Sequence, residues 1–356
     1  VNADSDWGQA LQRLAQQHLG LTQAMALSRK LRQLRGQAKS SALTSFKLGL
    51  VSNGTVDFIV PFLEATALRY GMALEVVAGH FGQHVQEALD PGSEINTARP
   101  DAVLLALDHR GLPLRDDEQG RWPPYRADAA LAQVRALREG FRSHGGAVCL
   151  VQNLPGVITP QFGSLDAAMA GTLRHTLAAF NAGLAQELGA SGDVLIDVEG
   201  LAQSIGLDTW ADERGWHMAK MPFAQSALAA YAELVVRAMA AMRGKARKCL
   251  VLDLDNTLWG GVIGDDGLEG IALDQGDARG EAHRAIQAAA LDLRRRGVVL
   301  AVCSKNDDAT ARLPFRSHPG MLIKEEHIAV FVANWEDKAS NLEHIAKRLD
   351  IGLDAL

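Results

Sequence analysis

Short apolar runs alternate with helical patterns along most of the chain. The first two thirds contain five such runs, FKLGLVSN, ALEVVAG, DAVLLALD, GAVCLVQN and DVLIDVEG, with helical material between most of them. An apolar run bounded by turn residues is typical of a buried strand. Strands that alternate with helices form parallel sheets covered by those helices, so the pattern predicts an α/β fold.

The same alternation begins again after a long predicted helix, QSALAAYAELVVRAMAAMRG, which ends near Gly244. Three more strands are predicted in KCLVLDLD, VVLAVCSKN and HIAVFVANW, each followed by a helical pattern. We therefore predict two domains, each a parallel sheet flanked by helices. Residues 1–40 would form a helical lead-in, residues 41–244 a first α/β domain, and residues 245–356 a second.

Composition narrows the class of protein. With 356 residues the chain is too long for one ordinary core, which agrees with two domains. No run of eighteen apolar residues exists, so no membrane span is expected, and a net charge of −6 gives no reason to expect nucleic acid. The three cysteines are too few for a disulfide framework and lack metal-ligand spacing, which fits a reducing cytoplasm.

Two carboxylates end the first strand of the second predicted domain. Asp253 and Asp255 are two residues apart, so they point to the same side of an extended strand. Two close negative charges need a compensating cation, since otherwise one carboxylate takes up a proton. Mg²⁺ is the simplest such cation, because it prefers oxygen ligands and also attracts phosphate.

The ends of the next two predicted strands add complementary side chains. Ser304 ends the second strand, where its hydroxyl can hold phosphate oxygens. Lys338 stands at the start of the following helix, where its charge adds to the positive helix terminus. An acid pair, a hydroxyl and a lysine on three successive strand ends predict a phosphoryl-transfer site.

The segments DLDNTLWGG, VCSKN and FVANWEDKASNLEHIA closely resemble the FkbH-like branch of the haloacid dehalogenase superfamily. The resemblance covers residues 245–356, and the preceding domain resembles the SGNH-hydrolase-like domain that accompanies it. It implies that Asp253 is the nucleophile and a Mg²⁺ ligand. Asp255 would be the general acid/base, with its backbone carbonyl on the metal, and Thr257 would orient it. Ser304 would hold the phosphoryl oxygens, and Lys338 would stabilise the developing charge.

FkbH-like proteins remove phosphate from D-1,3-bisphosphoglycerate and load a glyceryl group onto an acyl carrier protein for polyketide biosynthesis. The resemblance implies the same activity here, with an acyl carrier protein as partner. We expect further substrate contacts from Trp259, Lys305, Asn306 and Asn334. Two alternatives remain open: a Mg²⁺-dependent phosphatase that acts on another small phosphate ester, and a non-catalytic module that binds a carrier protein.

A glyceryl thioester requires a cysteine near the metal site. Cys303 adjoins Ser304 at the correct end of its strand, although strand alternation can turn its side chain into a helix-covered face. Cys249 lies four residues before Asp253, about 13 Å back along the strand at roughly 3.3 Å per residue. We therefore favour Cys303 as acyl carrier, keep Cys249 as the alternative, and expect Cys149 to be structural.

The first domain departs from a working SGNH hydrolase. Ser52 lacks the usual Gly-Asp-Ser setting, and Asp212 and His217 are five residues apart instead of three. Asn153 stands at a strand end, where its amide could serve an oxyanion hole. These departures favour a fold retained for binding over a hydrolase.

The two ends of the sequence suggest a piece of a longer protein. The first residue is Val1, and no signal peptide pattern follows it. In the FkbH-like family a further strand and acidic pair complete the metal site, whereas this sequence ends at LDIGLDAL before that motif. Either the chain is truncated or metal binding is impaired, and we favour truncation because a complete protein would hardly end before its last core strand.

Overall fold

A parallel β-sheet forms the core of each of two units in the structure, a computed structural model that describes residues 6–36, 40–115 and 124–356. The chain divides into a first unit, Val1–Arg243, and a second unit, Gly244–Leu356. The strands of the first unit are β1 (Thr44–Ser52), β2 (Met72–Ala78), β3 (Ala102–Ala106), β4 (Val148–Gln152) and β5 (Val194–Ile196). Those of the second are β6 (Cys249–Leu252), β7 (Val299–Ser304) and β8 (Ile328–Ala333).

Helices connect and cover these strands. In the first unit they are α1 (Trp7–Ala15), α2 (Leu21–Arg35), α3 (Ile59–Arg69), α4 (His84–Leu89), α5 (Glu94–Ala98), α6 (Asp128–Gly145), α7 (Leu165–Ala168), α8 (Leu173–Gly189), α9 (Val198–Ile205), α10 (Leu207–Trp210), α11 (Glu213–Ala219) and α12 (Leu228–Met242). In the second unit they are α13 (Ile263–Gly270), α14 (Ala278–Arg295), α15 (Asp308–Ser317) and α16 (Lys338–Leu349). None of the described helices is long and apolar enough to cross a membrane.

The sheet of the first unit has the strand order β2-β1-β3-β4-β5, and all its pairings are parallel. Leu50 packs on one face with α2, α3 and α12, and its neighbour Val51 packs on the other with α6 and α8. Side chains alternate across a strand, so a sheet covered on both faces requires an apolar residue at nearly every position. This is why the runs along this part of the chain are continuously apolar.

A buried ion-pair network ties α6 to the start of β5. Asp193 Oδ2 accepts hydrogen bonds from Arg138 Nε (2.7 Å) and Arg142 Nη2 (2.8 Å), and its Oδ1 accepts one from the backbone N–H of Cys149 (2.9 Å). Burial by itself would raise the pKa of Asp193, but the Cys149 N–H and the two arginines together lower it below its usual value. The carboxylate therefore stays ionised in the core.

The sheet of the second unit has the order β6-β7-β8 and is also parallel. One face packs against α14 and α15, where Val302 and Phe315 belong to one core cluster. The other face lies under α16, where Ala301, Cys303 and Ile345 form a second cluster. The predicted fold class, an α/β protein with two helix-flanked parallel sheets, is confirmed.

Candidate active site

The carboxyl ends of β6, β7 and β8 lie at one edge of the second sheet and bring the predicted site residues together. Asp253 directly follows β6, Ser304 is the last residue of β7, and Lys338 is the first residue of α16 after β8. The parallel register places Leu252 beside Val302, and Ser304 beside Ala333. Ligands of open parallel sheets bind at this kind of edge.

Asp253 and Lys338 form an ion pair at this edge. Lys338 Nζ lies 2.6 Å from Asp253 Oδ2, and the backbone N–H of Leu254 donates to Oδ1 (2.9 Å). Burial would raise the pKa of Asp253, but Lys338, the Leu254 N–H and the Ser304 hydroxyl outweigh it and lower the pKa. Asp253 is therefore an anion with part of its side chain open to solvent, as a nucleophile requires.

Three donors fix the carboxylate of Asp255. Trp259 Nε1 and the backbone N–H of Ile263 both donate to Oδ1, each at 3.0 Å, and Asn306 Nδ2 donates to Oδ2 at 2.8 Å. The donors come from the loop after β6, the start of α13 and the loop after β7. The Asp255 carboxylate is thus held in one orientation beside Asp253.

Two predicted roles need correction. In the described part of the chain the Asp255 carboxylate accepts no hydrogen bond from Thr257, so its orientation comes from the three donors just named. Trp259 was expected to contact substrate, but its side chain is fully buried and packs edge-to-face against Phe315 with ring centroids 6.0 Å apart. The indole therefore positions Asp255 from within the core.

The remaining predicted residues lie around the same edge. Ser304 is buried, and Asn306 Nδ2 reaches its Oγ at 3.2 Å as well as Asp255, which links the ends of β6 and β7. Lys305 is exposed. Asn334 exchanges two amide hydrogen bonds with Asn341, at 2.8 and 3.2 Å. This exchange fixes the loop between β8 and α16, and so positions Lys338.

Sequence reasoning missed two groups of this site, the backbone N–H of Ile263 and the side chain of Asn341. A backbone donor leaves no trace in residue identity. Asn341 is a buried polar residue three positions after Lys338, and both its burial and its pairing with Asn334 become visible only in the structure. The exposed tryptophan of this edge is Trp335, with 76% of its surface accessible, rather than Trp259.

The two candidate acyl-carrying cysteines are both buried. Cys303 is 5% exposed and packs under α16, and burial raises the pKa of its thiol. Cys303 directly precedes Ser304, the last residue of β7, at the edge of the sheet that carries the acid–lysine pair. Burial likewise raises the pKa of Cys249, which lies at the amino end of β6, away from the site edge.

The acid pair fits a magnesium ion in part. Among the described residues no three His, Cys, Asp or Glu side chains are arranged to hold a metal ion. Mg²⁺ in phosphate-processing sites, however, usually keeps several waters and takes only one or two protein carboxylates plus substrate phosphate oxygens. Asp253 and Asp255 supply such a pair of hard oxygen ligands, with the rest of the shell left to water and a phosphate.

The residues expected for a serine hydrolase in the first unit are not assembled. Ser52 is buried, and its Oγ accepts a hydrogen bond from the backbone N–H of Gly54 (2.9 Å). Within the described ranges no hydrogen bond joins Ser52 to a histidine. Asp212 caps α11 through the N–H of Gly215 (2.8 Å), while the side chain of His217 is 74% exposed.

The oxyanion-hole candidate of the first unit is also occupied. Asn153 Nδ2 donates to Asp197 Oδ1, and its Oδ1 accepts from the backbone N–H of Glu199, both at 2.8 Å. Both ends of this amide thus hold the chain after β4 against the start of α9. The Asn153 amide is therefore engaged at both ends in hydrogen bonds within the first unit.

The comparisons with known proteins give one extensive likeness. The chain matches no protein-family profile and has no significant match among curated proteins. A crystal structure of the N-terminal part of the protein BF1531 from Bacteroides fragilis, which contains a phosphatase domain complexed with Mg, is similar with a TM-score of 0.81 and 27% sequence identity. The match covers 98% of this chain and 86% of that one.

A lipase/acylhydrolase from Enterococcus faecalis matches 55% of this chain and 96% of its own, at 17% identity and a TM-score of 0.38. Over nearly its whole length, the chain is similar in fold to the N-terminal part of the Bacteroides fragilis protein, which contains a phosphatase domain.

Proposed function

We propose that this protein is a Mg²⁺-dependent phosphatase of the haloacid dehalogenase type, acting on a small phosphorylated compound. The observation that carries the proposal is the ionised Asp253, paired with Lys338 and placed beside a rigidly held Asp255 at one sheet edge. The similarity to a phosphatase domain that was crystallised with Mg supports it.

The geometry suggests a two-step reaction. An oxygen of Asp253 attacks the phosphorus atom, the bond from phosphorus to the leaving oxygen breaks, and Asp255 protonates that oxygen. A water molecule then attacks the aspartyl phosphate, and Asp255 takes a proton from this water as inorganic phosphate leaves. Asp255 can serve both steps from one position because its three donors fix it.

Lys338 and Ser304 act on the transferred phosphoryl group. Lys338 gives up part of its contact with Asp253 to the phosphoryl oxygens, where negative charge accumulates during transfer. Ser304 lies at the floor of the site, where its hydroxyl can donate to the same oxygens. Bound by Asp253 and Asp255, a magnesium ion would supply further positive charge to these oxygens.

Phosphate release from a panel of acyl phosphates and phosphate monoesters, with Mg²⁺ and with a chelator, tests the proposal. Asp253→Asn should lower the rate by about three orders of magnitude or more, because it removes the nucleophile. Asp308→Asn is a matched control, since this exposed carboxylate pairs with Arg312 on α15. Undiminished release by Asp253→Asn, or no release from the whole panel by the wild-type protein, would refute the assignment.

We further propose that the substrate is D-1,3-bisphosphoglycerate and that the glyceryl group passes to an acyl carrier protein through an enzyme thioester. The FkbH-like sequence segments support this, as does the position of Cys303 next to Ser304 at the carboxyl end of β7. In that reaction the Cys303 thiol loses its proton and its sulfur attacks the acyl carbon, the carbon–oxygen bond breaks, and the acyl phosphate leaves as inorganic phosphate. The 3-phosphate is removed by the two-step reaction at Asp253, and the thiol of the carrier protein then takes the glyceryl group and regenerates the free thiol of Cys303. The thiol would have to become accessible, since Cys303 is buried.

The finer proposal is tested by weighing a carrier protein after incubation with the enzyme, Mg²⁺ and D-1,3-bisphosphoglycerate. A mass gain of one glyceryl group is the expected result. Phosphate release without that gain favours a plain phosphatase. If neither the mass gain nor phosphate release is observed, a non-catalytic carrier-binding module remains. Cys303→Ser should abolish loading while Cys249→Ser keeps it, and full loading by both variants would eliminate the thioester.

A further inference from the structure

An arginine is hydrogen-bonded to the residue that follows Asp255. Arg279, the second residue of α14, donates from Nη2 to Asn256 Oδ1 at 2.9 Å, and Asn256 directly follows Asp255. One Cα–Cα step, one asparagine side chain and this hydrogen bond place the donating nitrogen within roughly 10 Å of the Asp255 Cα. That distance is comparable to the length of a small phosphorylated metabolite.

The guanidinium of Arg279 packs closely against the backbone at Gly260, which has no side chain. A Cβ at this glycine would lie 2.5 Å from Arg279 Nε and 2.9 Å from its Cζ, so any larger residue would displace the arginine. The φ angle of Gly260 is not in the left-handed region, so its backbone does not require glycine. Arg279, together with Ala272 at 3.1 Å, fills the space that a side chain at this position would occupy.

Asn256, which accepts the hydrogen bond from Arg279, has an unusual backbone conformation. Asn256 has a φ angle of +55°, which non-glycine residues rarely adopt, and its Oδ1 also accepts the backbone N–H of Gly261 (3.0 Å). The same carbonyl oxygen thus closes the turn after Asp255 and fixes the arginine. The site loop and the guanidinium are positioned as one unit.

The charge of Arg279 is not neutralised within the described part of the chain. No carboxylate there lies within ion-pair distance of the guanidinium, which is exposed. The acids closest in sequence hold backbone groups instead: Asp277 accepts the N–H of Gly280, and Glu281 accepts the N–H of Gly276. A guanidinium has five N–H donors, and Asn256 takes one of them.

We propose that Arg279 binds a second anionic group of the substrate, a carboxylate or second phosphate a few atoms away from the phosphoryl group that Asp253 attacks. A guanidinium suits this role because its planar donors match the two oxygens of either group. The inference rests on the proposed phosphatase function and narrows it to phosphorylated compounds with a second negative group.

Two substrates that differ only at this second group test the inference. 3-Phosphoglycerate and glycerol 3-phosphate have the same three-carbon length, but only the first carries a carboxylate. The wild-type protein should prefer 3-phosphoglycerate in kcat/KM. Arg279→Gln should lower kcat/KM for 3-phosphoglycerate about 10- to 100-fold, as expected for a charged hydrogen bond, and change that for glycerol 3-phosphate less than about twofold.

Two further variants distinguish recognition from structure. Arg279→Lys keeps the charge but not the two-point geometry, so it should restore part of the preference. Arg294→Gln removes the same charge from an exposed position in the last turn of α14 and should leave the preference unchanged. An equal loss on both substrates in Arg279→Gln would show that the residue only supports the loop, and would overturn the inference.

The two proposals fail in different ways. A wild-type protein that releases phosphate from the panel but shows no preference for the carboxylate contradicts the role of Arg279 and leaves the phosphatase in place. A wild-type protein that releases phosphate from nothing in the panel contradicts the phosphatase, and the role of Arg279 with it.

Discussion

Replacing Trp259 with Phe isolates one of the three hydrogen bonds that hold Asp255. The change keeps an aromatic ring in the core but removes the Nε1–H that donates to Oδ1 at 3.0 Å. A hydrogen bond to a charged group contributes about 1.5–3 kcal/mol. If Asp255 must keep its orientation in both steps, kcat/KM for phosphate release should fall about 10- to 150-fold, at 1.36 kcal/mol per tenfold.

The same replacement removes buried volume and should cost about 1–3 kcal/mol of stability. Phe315→Leu is the matched control, since Phe315 packs on the Trp259 ring in the same core cluster but its side chain cannot hydrogen-bond to Asp255. Phosphate-release kinetics and urea unfolding should be measured on both variants. Similar stability losses with a large rate loss in Trp259→Phe alone are expected. Equal rate losses in both variants, or a fully active Trp259→Phe, would refute the reasoning.

Three other changes test separate parts of the structure. Lys338→Met should slow phosphate release about 100-fold or more in the same assay while the protein stays folded, because it removes the cation that pairs with Asp253; a fully active variant would contradict this. Asp193→Asn should lower the free energy of unfolding at pH 7 by about 3–5 kcal/mol by breaking a buried ion-pair network. Because folding lowers the pKa of Asp193, its contribution is present above the unfolded pKa of about 3.9 and is lost as the pH falls through the lower folded value, so the deficit measured by urea unfolding should shrink in acid; a deficit independent of pH would be contrary evidence. Gly140→Ala would place a Cβ 2.5 Å from the carbonyl oxygen of Ala88 and should destabilise the first unit by about 1–3 kcal/mol in urea unfolding. An unchanged unfolding midpoint would contradict the close packing of α6 on α4.

Much of the fold could be predicted because local patterns agree with the tertiary structure. The run VVLAVCSKN predicts a strand and the structure has β7 at Val299–Ser304, since these residues are buried between helices on both faces. The following helix begins where an aspartate is available as cap: Asp307 accepts the N–H of Thr310 at 3.0 Å. The sequence signal is strong wherever burial and capping coincide in this way.

The carboxyl edge of the sheet was also predictable, because parallel strands bring their ends to one side. This rule alone places Asp253, Ser304 and Lys338 together. The rule says nothing about which groups hold a side chain once it is there. Asn306 reaches Asp255 from 51 positions away in the sequence, and this contact depends on how β6 and β7 pair.

The loop after β6 shows where prediction from sequence ends. Trp259 lies among polar and glycine residues, which suggests an exposed loop, yet the chain turns at Asn256 and carries the indole into the core. Ile263 then presents its backbone N–H to Asp255 at the start of α13, a helix interrupted at Gly267 by a φ angle of +66°. Such a turn depends on tertiary contacts, which the local pattern of apolar and polar residues does not indicate.

The most direct test of the account is to trap the covalent intermediate. The wild-type protein is mixed with Mg²⁺ and an acyl phosphate, quenched in acid within the first turnovers, digested and analysed by mass spectrometry. We expect one added phosphoryl group on the peptide that contains Asp253, and none in Asp253→Asn. Phosphate release with no labelled peptide, or a label on a different residue, would contradict the assignment of Asp253 as the nucleophile.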